Sequence, residues 1–331
     1  MPYSDHLTQA KRVVIKIGSS LLVDHESGTL NEQRIAYLGE EISRLRQRGQ
    51  QVLLVSSGAI ALGRHYLKLN HKQQGLDYSQ AAAASGQVIL AHGYYQLMAR
   101  LKLKAAQILL TIDDTEDRRR YLNARNTLDR LLEIGVVPVI NENDSVATDE
   151  IRYGDNDRLA ARVAQMMSAE CLVLISDIDG LYTGDPKDSG AEHIATVTRI
   201  DKQIESLAGA TNTDYGTGGM ITKIAAAKIC MPAGCATVIA SGHSRWPLRR
   251  VEEGGQCTWF LPETTPQAAR KRWIGGSLTP KGKIVIDDGA AAALNKGRSL
   301  LPVGVTQVQG VFDRGDAVVV CTDDGKEVAR G

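Results

Sequence analysis

The 331-residue chain has almost no excess of either charge, with 39 Lys and Arg against 38 Asp and Glu. That balance removes the whole-protein electrostatic case for nucleic-acid binding. Cysteine is scarce. The five residues Cys171, Cys230, Cys235, Cys257 and Cys321 are odd in number and widely spaced, and Cys230 with Cys235 gives only the weakest hint of a pair. No histidine or cysteine set completes a metal site, so buried or semi-buried thiols in a reducing cytosol are expected. No run approaches the roughly 18 apolar residues of a membrane span. The alanine-rich stretch from Ala81 is broken by Ser85, Gly86, Gln87 and then His92. The first six residues carry no basic segment ahead of an apolar core, so no secretory signal is expected and the cytoplasm is the expected compartment. A Walker Gly-x-x-x-x-Gly-Lys-[Ser/Thr] sequence is missing too, which argues against the P-loop class.

At 43% hydrophobic and 23% charged, the remainder is ordinary globular material, and its length suits one large domain plus a smaller one. Strand and helix signals alternate over residues 11–260. Val13–Ile17 reads as a buried strand, and residues 32–48 place Ile35, Leu38, Ile42 and Leu45 at helical spacing before Gly49. Val52–Val55 is a second strand, entering Ser56-Ser57-Gly58 and a helix. A long helix is expected over about 79–104, then a strand at Gln107–Ile112, a helix over 121–134 and a strand at Val136–Ile140. Further on come a helix over 158–169, a strand at Cys171–Ile175, a helix over 222–231 and a strand at Ala236–Ala240. Near-continuous apolar strands separated by helices predict an α/β fold with a parallel sheet covered on both faces. Ligands of such sheets bind beyond the carboxyl ends of the strands. Gly18–Ser20, Ser56–Gly58, Asn141–Asp144, Ser176–Asp179 and Ser241–His243 all stand at such ends.

The pattern changes after about residue 262. Pro262, Pro266 and Arg270-Lys271-Arg272 form a linker, followed by short strand candidates at Lys283–Ile286, Val305–Val308 and Ala317–Cys321 and a helical turn near 289–295. This reads as a small, mainly β domain. From Gly276 to Gly331 it holds seven basic and seven acidic residues, whereas backbone-driven nucleic-acid affinity needs clustered cations.

Two lysines more than two hundred residues apart carry the chemistry. Lys16 lies in Val-Val-Ile-Lys-Ile-Gly-Ser-Ser (13–20), and Lys223 closes Gly-Thr-Gly-Gly-Met-Ile-Thr-Lys (216–223). Gly18-Ser19-Ser20 could offer backbone donors to a phosphate beside Lys16. A solvent-facing lysine beside an ordinary turn, and a surface hinge at the glycines, fit the same residues. Ser57-Gly58 suits a carboxylate or small polar ligand. Asn141, Asp144 and Asn156 add donors and acceptors, with Asp144 a partner for an ammonium. No histidine lies near these clusters in sequence to act as a base. An acceptor carboxylate with a pKa near ~4.3 needs none at neutral pH, whereas an alcohol usually does. Acyl-phosphate formation is therefore coherent with this set. Asp155 or Asp157 could orient the lysines or help hold Mg²⁺ through water and phosphate. Asp157 is preferred as organiser, because two converging ammonium groups need a fixed countercharge. Gly-Asp-Asn-Asp (154–157) equally suits a helix start. Ser176–Tyr182 offers an adenine or ribose edge, or a structural loop. Glu116–Arg120 reads as a solvated helix face or subunit contact.

The motifs Val-Ile-Lys-Ile-Gly-Ser-Ser (14–20), Val-Ser-Ser-Gly-Ala-Ile (55–60), Tyr-Leu-Asn-Ala-Arg (121–125), Pro-Val-Ile-Asn-Glu-Asn-Asp (138–144), Gly-Asp-Asn-Asp (154–157) and Gly-Thr-Gly-Gly-Met-Ile-Thr-Lys (216–223) occur in the order of one family. In them the chain resembles the glutamate 5-kinase family of the amino-acid kinase superfamily, over essentially its whole length. The lysine-glycine start is shared with aspartate, acetylglutamate, uridylate and carbamate kinases. The resemblance implies a three-layer αβα sandwich around a mostly parallel sheet, the amino-acid kinase fold, followed by a PUA-like domain. It implies ATP-dependent phosphorylation of the γ-carboxylate of L-glutamate, the first step of proline synthesis, with Mg²⁺ required and proline as feedback inhibitor. A homodimer or homotetramer is implied, and no membrane or nucleic-acid partner.

Family roles fall on Lys16 and Lys223 as stabilisers of the transferring phosphoryl group, with Asp157 organising them. They make Ser57, Asp144 and Asn156 the glutamate ligands. ATP would be contacted by Lys16, Ser176, Asp177, Thr217, Gly218, Gly219, Met220, Ile221, Thr222 and Lys223. No residue is assigned as a metal ligand. The expected division is a kinase domain over 1–262, a linker over 263–275 and a PUA-like domain over 276–331, the last ending early at 327–331 and so abbreviated or truncated. Related kinases acting on acetylglutamate or aspartate are the nearer alternative. An RNA-associated protein acting through its terminal domain is the more distant one.

Overall fold

Strands that are apolar on both sides must be covered on both faces, and this requirement shapes residues 12–260. The computed structural model describes residues 3–24, 26–70, 72–73, 75–146, 156–209, 219–269, 280–313 and 315–330. Along the chain run α1 (Asp5–Thr8), β1 (Arg12–Ile17), α2 (Ser19–Leu22), α3 (Glu32–Gln47), β2 (Gln51–Ser56), α4 (Ala59–Tyr66), α5 (Leu76–Arg100) and β3 (Lys104–Leu110). Then come α6 (Ile112–Glu116), α7 (Arg118–Glu133), β4 (Val136–Glu142), α8 (Asn156–Met166), β5 (Cys171–Ser176) and the two-residue strands β6 (Leu181–Tyr182), β7 (His193–Ile194) and β8 (Thr196–Val197). Helices α9 (Lys202–Gly209) and α10 (Met220–Cys230), strand β9 (Ala236–Ser241), helix α11 (Pro247–Glu252) and strand β10 (Cys257–Phe260) complete this part.

Eight strands form one sheet in the order β3-β4-β2-β1-β5-β9-β10-β8. The six from β3 to β9 are mutually parallel, as expected for strands joined through helices. The edge departs from that pattern. Strand β10 returns antiparallel to β9, and β8 pairs parallel to β10. Alternation along each strand sorts the core into two layers. Val13, Ile15 and Ile17 pack with Ile35 and Ile42 of α3 and Leu90 and Tyr94 of α5. Val14, Leu53, Val55, Leu172 and Leu174 pack with Leu128 of α7, Leu159 and Val163 of α8 and Ile224 of α10. A sheet between two helical layers is the three-layer αβα sandwich. Lys16 shares the face of Val14, so its side chain enters the layer of α8 and α10.

Element boundaries shift where local chemistry overrides periodicity. Helix α5 was expected to reach 104 but ends at Arg100, where Lys102 turns into the left-handed region (φ +57°) and Lys104 joins β3. Strand β3, expected to extend to Ile112, stops at Leu110 because Thr111 and Asp114 form a capping box that starts α6. Helix α7 begins at Arg118, capped by Asp117 accepting from Arg120 N, so Glu116–Arg120 straddles a helix start. All five cysteines are free and buried. No helix among the described residues is long and apolar enough to cross a membrane.

The C-terminal residues build a four-stranded mixed sheet from β11 (Gly282–Ile286), β12 (Val305–Gly310), β13 (Val318–Thr322) and β14 (Glu327–Arg330), with α12 (Asp288–Asn295) packed beside it. Ile286, Ala291 and Val320 are its small core. Strand β14, which periodicity did not indicate, pairs antiparallel with β13. Within the stretch expected as linker, residues 266–269 already wind into a helical turn, because Thr265 caps it and Pro266 suits its first position. Residues 270–275 of that stretch, and 276–279, lie outside the described residues.

Two backbone features set the mouth of the sheet. Gly58, which follows Ser57 and caps α4, has φ +110°, a region that L side chains rarely adopt. Helices α4 and α5 cross so closely that a Cβ on Gly86 would land on the carbonyl of Ala59, and one on Gly63 on the carbonyl of Ala82. The glycine break in the alanine-rich stretch is therefore a packing requirement. Gly86→Ala is expected to lower stability by about 1–3 kcal/mol through overpacking despite its better helix propensity, read as a lower urea midpoint at unchanged m-value. An unchanged or raised midpoint would show that the crossing is not that tight.

Candidate active site

Three elements far apart in sequence deliver charge to one point. Lys16 is the fifth residue of β1, Asp157 is the second residue of α8, and Lys223 lies in the first turn of α10. Helices α8 and α10 lie side by side on one face of the sheet, which brings the three together. Lys16 Nζ stands 2.6 Å from Asp157 Oδ1, and Lys223 Nζ 3.4 Å from Oδ2. The Thr222 hydroxyl reaches Oδ2 at 2.7 Å and is shared with the Gly219 carbonyl at 2.9 Å. All are deep. Asp157 is 0% exposed, Lys223 5% and Lys16 6%.

Burial alone would push the Asp157 carboxyl upward. The charges of Lys16 and Lys223 and the bonds from Lys16 and Thr222 outweigh it and hold the group below the ordinary carboxylate range. Burial pulls the Lys223 ammonium down, Lys16 repels it, and Asp157 and Asp177 partly oppose the fall. The trio carries one net positive charge in a desolvated place, which suits an incoming anion. Backbone N–H groups at the start of α10, capped by Gly219, open beside it. Gly18 does not add its own N–H, expected to be available, because that group is directed to the Ile175 carbonyl at 3.4 Å.

A second, polar cluster adjoins the first through α8. Asn156, the residue before Asp157, donates through Nδ2 to Ser57 Oγ at 3.0 Å and to Asn141 Oδ1 at 3.1 Å. Asn141 in turn donates to Gln87 Oε1 of α5 at 2.7 Å. Asp144 lies in the turn after β4, half-buried, and burial raises its carboxyl to about 6. Ser56 at the end of β2 is tied to the fully buried Tyr94 hydroxyl at 3.0 Å, which steadies the turn carrying Ser57.

The residues expected to meet a nucleotide are distributed unevenly. Ser176 is buried at the end of β5 and donates to the exposed Asp177 at 2.8 Å. Met220 faces the core, whereas Ile221 is exposed. Thr217 and Gly218 lie outside the described residues, as do Gly154 and Asp155. The structure therefore brings together Lys16, Lys223, Asp157 and Thr222, and separately Ser57, Asn156 and Asn141. Gln87 is the residue that sequence reasoning missed, since one glutamine in an alanine-rich helix carries no motif. Among the described residues, no group of three or more His, Cys, Asp or Glu could hold a metal ion.

Comparison with known proteins bears on the family and the fold. Residues 11–241 match the amino acid kinase family, and residues 282–331 match the PUA domain. The chain is 55% identical over 326 residues to the glutamate 5-kinase of Paramagnetospirillum magneticum, covering 98% of this chain and 88% of that protein. It is 56% identical over 319 residues to that of Rhodospirillum rubrum, covering 96% and 85%. Among solved structures, a carbamate kinase from Giardia lamblia superposes with a TM-score of 0.55 at 15% identity, covering 77% of this chain and 100% of that one. UMP kinase from Ureaplasma parvum gives 0.52 at 15% identity, covering 76% and 98%. These two likenesses carry the fold alone. With its motifs, its sheet order and its near full-length identity in agreement, the chain belongs to the amino acid kinase family and, within it, to the glutamate 5-kinases.

Proposed function

We propose that this protein transfers the γ-phosphoryl group of ATP to the γ-carboxylate of L-glutamate, giving L-glutamyl 5-phosphate and ADP in the first step of proline biosynthesis. The observation that carries this reading is the buried Asp157 carboxylate between two ammonium groups. A carboxylate oxygen of glutamate attacks the γ-phosphorus, the bond from that phosphorus to the β–γ bridging oxygen breaks, and ADP leaves with the electron pair. The nucleophile is ionised at neutral pH, so no proton has to be removed. Catalysis then reduces to positioning and charge stabilisation. Lys16 and Lys223 take the charge on the equatorial oxygens, and Asp157 holds both ammonium groups at fixed positions in the absence of nucleotide.

Ser57, Asp144 and Asn156 are assigned to glutamate. Asp144 faces its ammonium, and the hydroxyl and amide face its α-carboxylate and amine. Ser176, Asp177 and the segment Gly219–Lys223 are assigned to ATP, with Thr217 and Gly218 as the preceding part of that segment. Both oxygens of Asp157 are engaged by Lys16, Lys223 and Thr222, which does not fit a direct magnesium ligand. Magnesium therefore enters as part of the MgATP substrate. Proline carries the same ammonium and carboxylate pair as glutamate, which supports feedback inhibition through the same recognising groups. Val88 and Tyr95 on the outer side of α5 are exposed apolar residues, which supports a homodimer or homotetramer through this domain. We assign residues 1–262 to the kinase domain, 263–275 to a linker and 276–331 to the PUA domain, and place the protein in the cytoplasm, where both substrates are held.

The discriminating assay follows ATP turnover with glutamate, aspartate and acetylglutamate, trapping acyl phosphate with hydroxylamine. Hydroxamate is expected from glutamate; product from only the other two would redirect the reading to a sibling kinase. Lys16→Ala and Lys223→Ala are expected to lower kcat by about 10²–10³-fold with smaller changes in KM. Near-normal kcat in either variant would remove that lysine from the transition state.

Asp157→Asn strands two buried ammonium groups and is expected to cost about 3–5 kcal/mol of stability at pH 7. The wild-type carboxyl is held below its unfolded value, so its contribution is present above that value and fades as pH falls through the folded one. The gap between wild type and variant in urea midpoint should therefore be full at pH 7 and narrow only below about pH 4. A gap that is the same at pH 3 and pH 7 contradicts the assignment.

The Asp144 carboxyl is raised to about 6 by burial, so its anionic form is complete only above neutrality. If it pairs with the substrate ammonium, the KM for glutamate should rise roughly tenfold between pH 7.5 and pH 5, following loss of the anion. The KM for ATP should not follow it. Asp144→Asn should raise KM and flatten that profile, and a profile that stays sloped would place the titrating group elsewhere.

A further inference from the structure

The chain of amides from α5 to the start of α8 has a direction, with Asn156 donating to Asn141 and Asn141 to Gln87. Gln87, half-buried on α5, presents Oε1 to Asn141 Nδ2 at 2.7 Å. With its Nδ2 so engaged, the buried Asn141 turns Oδ1 to Asn156 Nδ2 at 3.1 Å. Asn156 Nδ2 then serves both Asn141 and Ser57 Oγ, the latter at 3.0 Å. The outcome is that Asn156 Oδ1, a buried oxygen, has no hydrogen-bond partner among the described residues. A buried acceptor without a partner is costly unless a ligand fills it.

Primary amides can be turned end for end, so the same three side chains admit the opposite order. In that order Gln87 Nε2 donates to Asn141 Oδ1, Asn141 Nδ2 donates to Asn156 Oδ1, and Asn156 is left with a free N–H. The first order offers the substrate an acceptor and the second a donor. An ammonium group has three donors and no acceptor, so only the first order welcomes it. On the glutamate reading Asp144 supplies the charge for that ammonium, and the buried, unpartnered Asn156 Oδ1 would supply a directed neutral acceptor.

We propose that Gln87 is a positioning residue for glutamate: by accepting from Asn141 it fixes the polarity of the Gln87–Asn141–Asn156 relay, so that Asn156 Oδ1 faces the substrate ammonium. This rests on the glutamate kinase reading. It adds to that reading a residue which touches neither substrate nor the reacting atoms.

Substitutions at Gln87 can impose either order. Gln87→Glu retains only acceptors and enforces the observed polarity. Gln87→Lys retains only donors and favours the reverse, and Gln87→Met removes the instruction altogether. Each variant would be assayed by hydroxamate formation, with KM measured separately for glutamate and ATP, and with thermal unfolding as a check of folding. Gln87→Glu is expected to keep the glutamate KM within about threefold of wild type. Gln87→Lys and Gln87→Met are expected to raise it about tenfold or more, with kcat and the KM for ATP within about twofold. Either of the last two, if folded, suffices beside Gln87→Glu, because each removes the acceptor that Asn141 Nδ2 meets at position 87. A merely structural role would damage Gln87→Glu as much as the others, or move both KM values together, and either result overturns the proposal. So does a glutamate KM unchanged in all three variants. Wild-type enzyme that forms no hydroxamate from glutamate would instead reject the underlying kinase reading, which keeps the two failures distinct.

Discussion

The buried carboxylate of Asp157 is the constraint on which the rest of the site depends. Two ammonium groups converging in a dry place repel each other, and burying both is costly without an anion between them. Asp157 makes the convergence tolerable before any ligand arrives. It is itself favourably placed, at the start of α8 where the helix dipole favours negative charge. Lys223 is in the opposite situation, since a cation in the first turn of α10 opposes that helix's dipole. Its stability relies on Asp157 and Asp177, and its depressed ammonium reflects the balance. An anionic phosphoryl group would relieve the tension on Lys223. The unliganded site is thus held in a state that a polyphosphate improves.

Helix α8 also joins the two halves of the proposed reaction. Asn156 and Asp157 are neighbours in sequence, yet the first bonds to Ser57 and Asn141 while the second bonds to the lysines and Thr222. One peptide step, about 3.8 Å between Cα atoms, therefore separates the acceptor half from the donor half. Registering a nucleophile against a phosphoryl group demands placement on that scale. A helix start supplies it more rigidly than a loop, because the two side chains leave a regular backbone in fixed relative directions.

Much of this was legible in the sequence, for physical reasons that vary by element. The central strands are apolar on both faces, so Val13–Ile17, Val52–Val55 and Cys171–Ile175 could be read directly as covered parallel strands. Polar residues at their ends then gave Lys16, Ser57 and Ser176 as neighbours in space. The edge was less legible. Strands of two residues such as β8 have no period to detect, and the antiparallel return of β10 is decided by pairing, not by composition. Lys104 fits the helical pattern in sequence, and the left-handed turn at Lys102 is what moves it into β3. Gln87 was invisible because its bond with Asn141 arises only in three dimensions, and glutamine at an alanine-rich helix surface is ordinary. Gly86 stood out only as a break in an apolar run, and its meaning came from the crossing with α4.

The division of labour between the two clusters also bears on the missing base. A kinase acting on an alcohol needs a proton acceptor near its nucleophile, and the environment of such a group shifts its pKa towards neutrality. Here the carboxyl raised towards neutrality, Asp144, lies in the turn after β4, and the carboxylate among the lysines, Asp157, is held anionic. Neither fits a base at the phosphoryl group: Asp157 is paired with both lysines, and Asp144 is assigned in the proposed reaction to the substrate ammonium. That pattern suits a nucleophile that arrives already ionised. It leaves selectivity to a small set of neutral and acidic groups whose orientation matters more than their strength. A carboxylate such as Asp144 can attract any amine, whereas in the proposed relay the direction of the amides would distinguish an ammonium from an acceptor placed at the same point. On the relay proposed above, specificity would lie in which way three amides are turned.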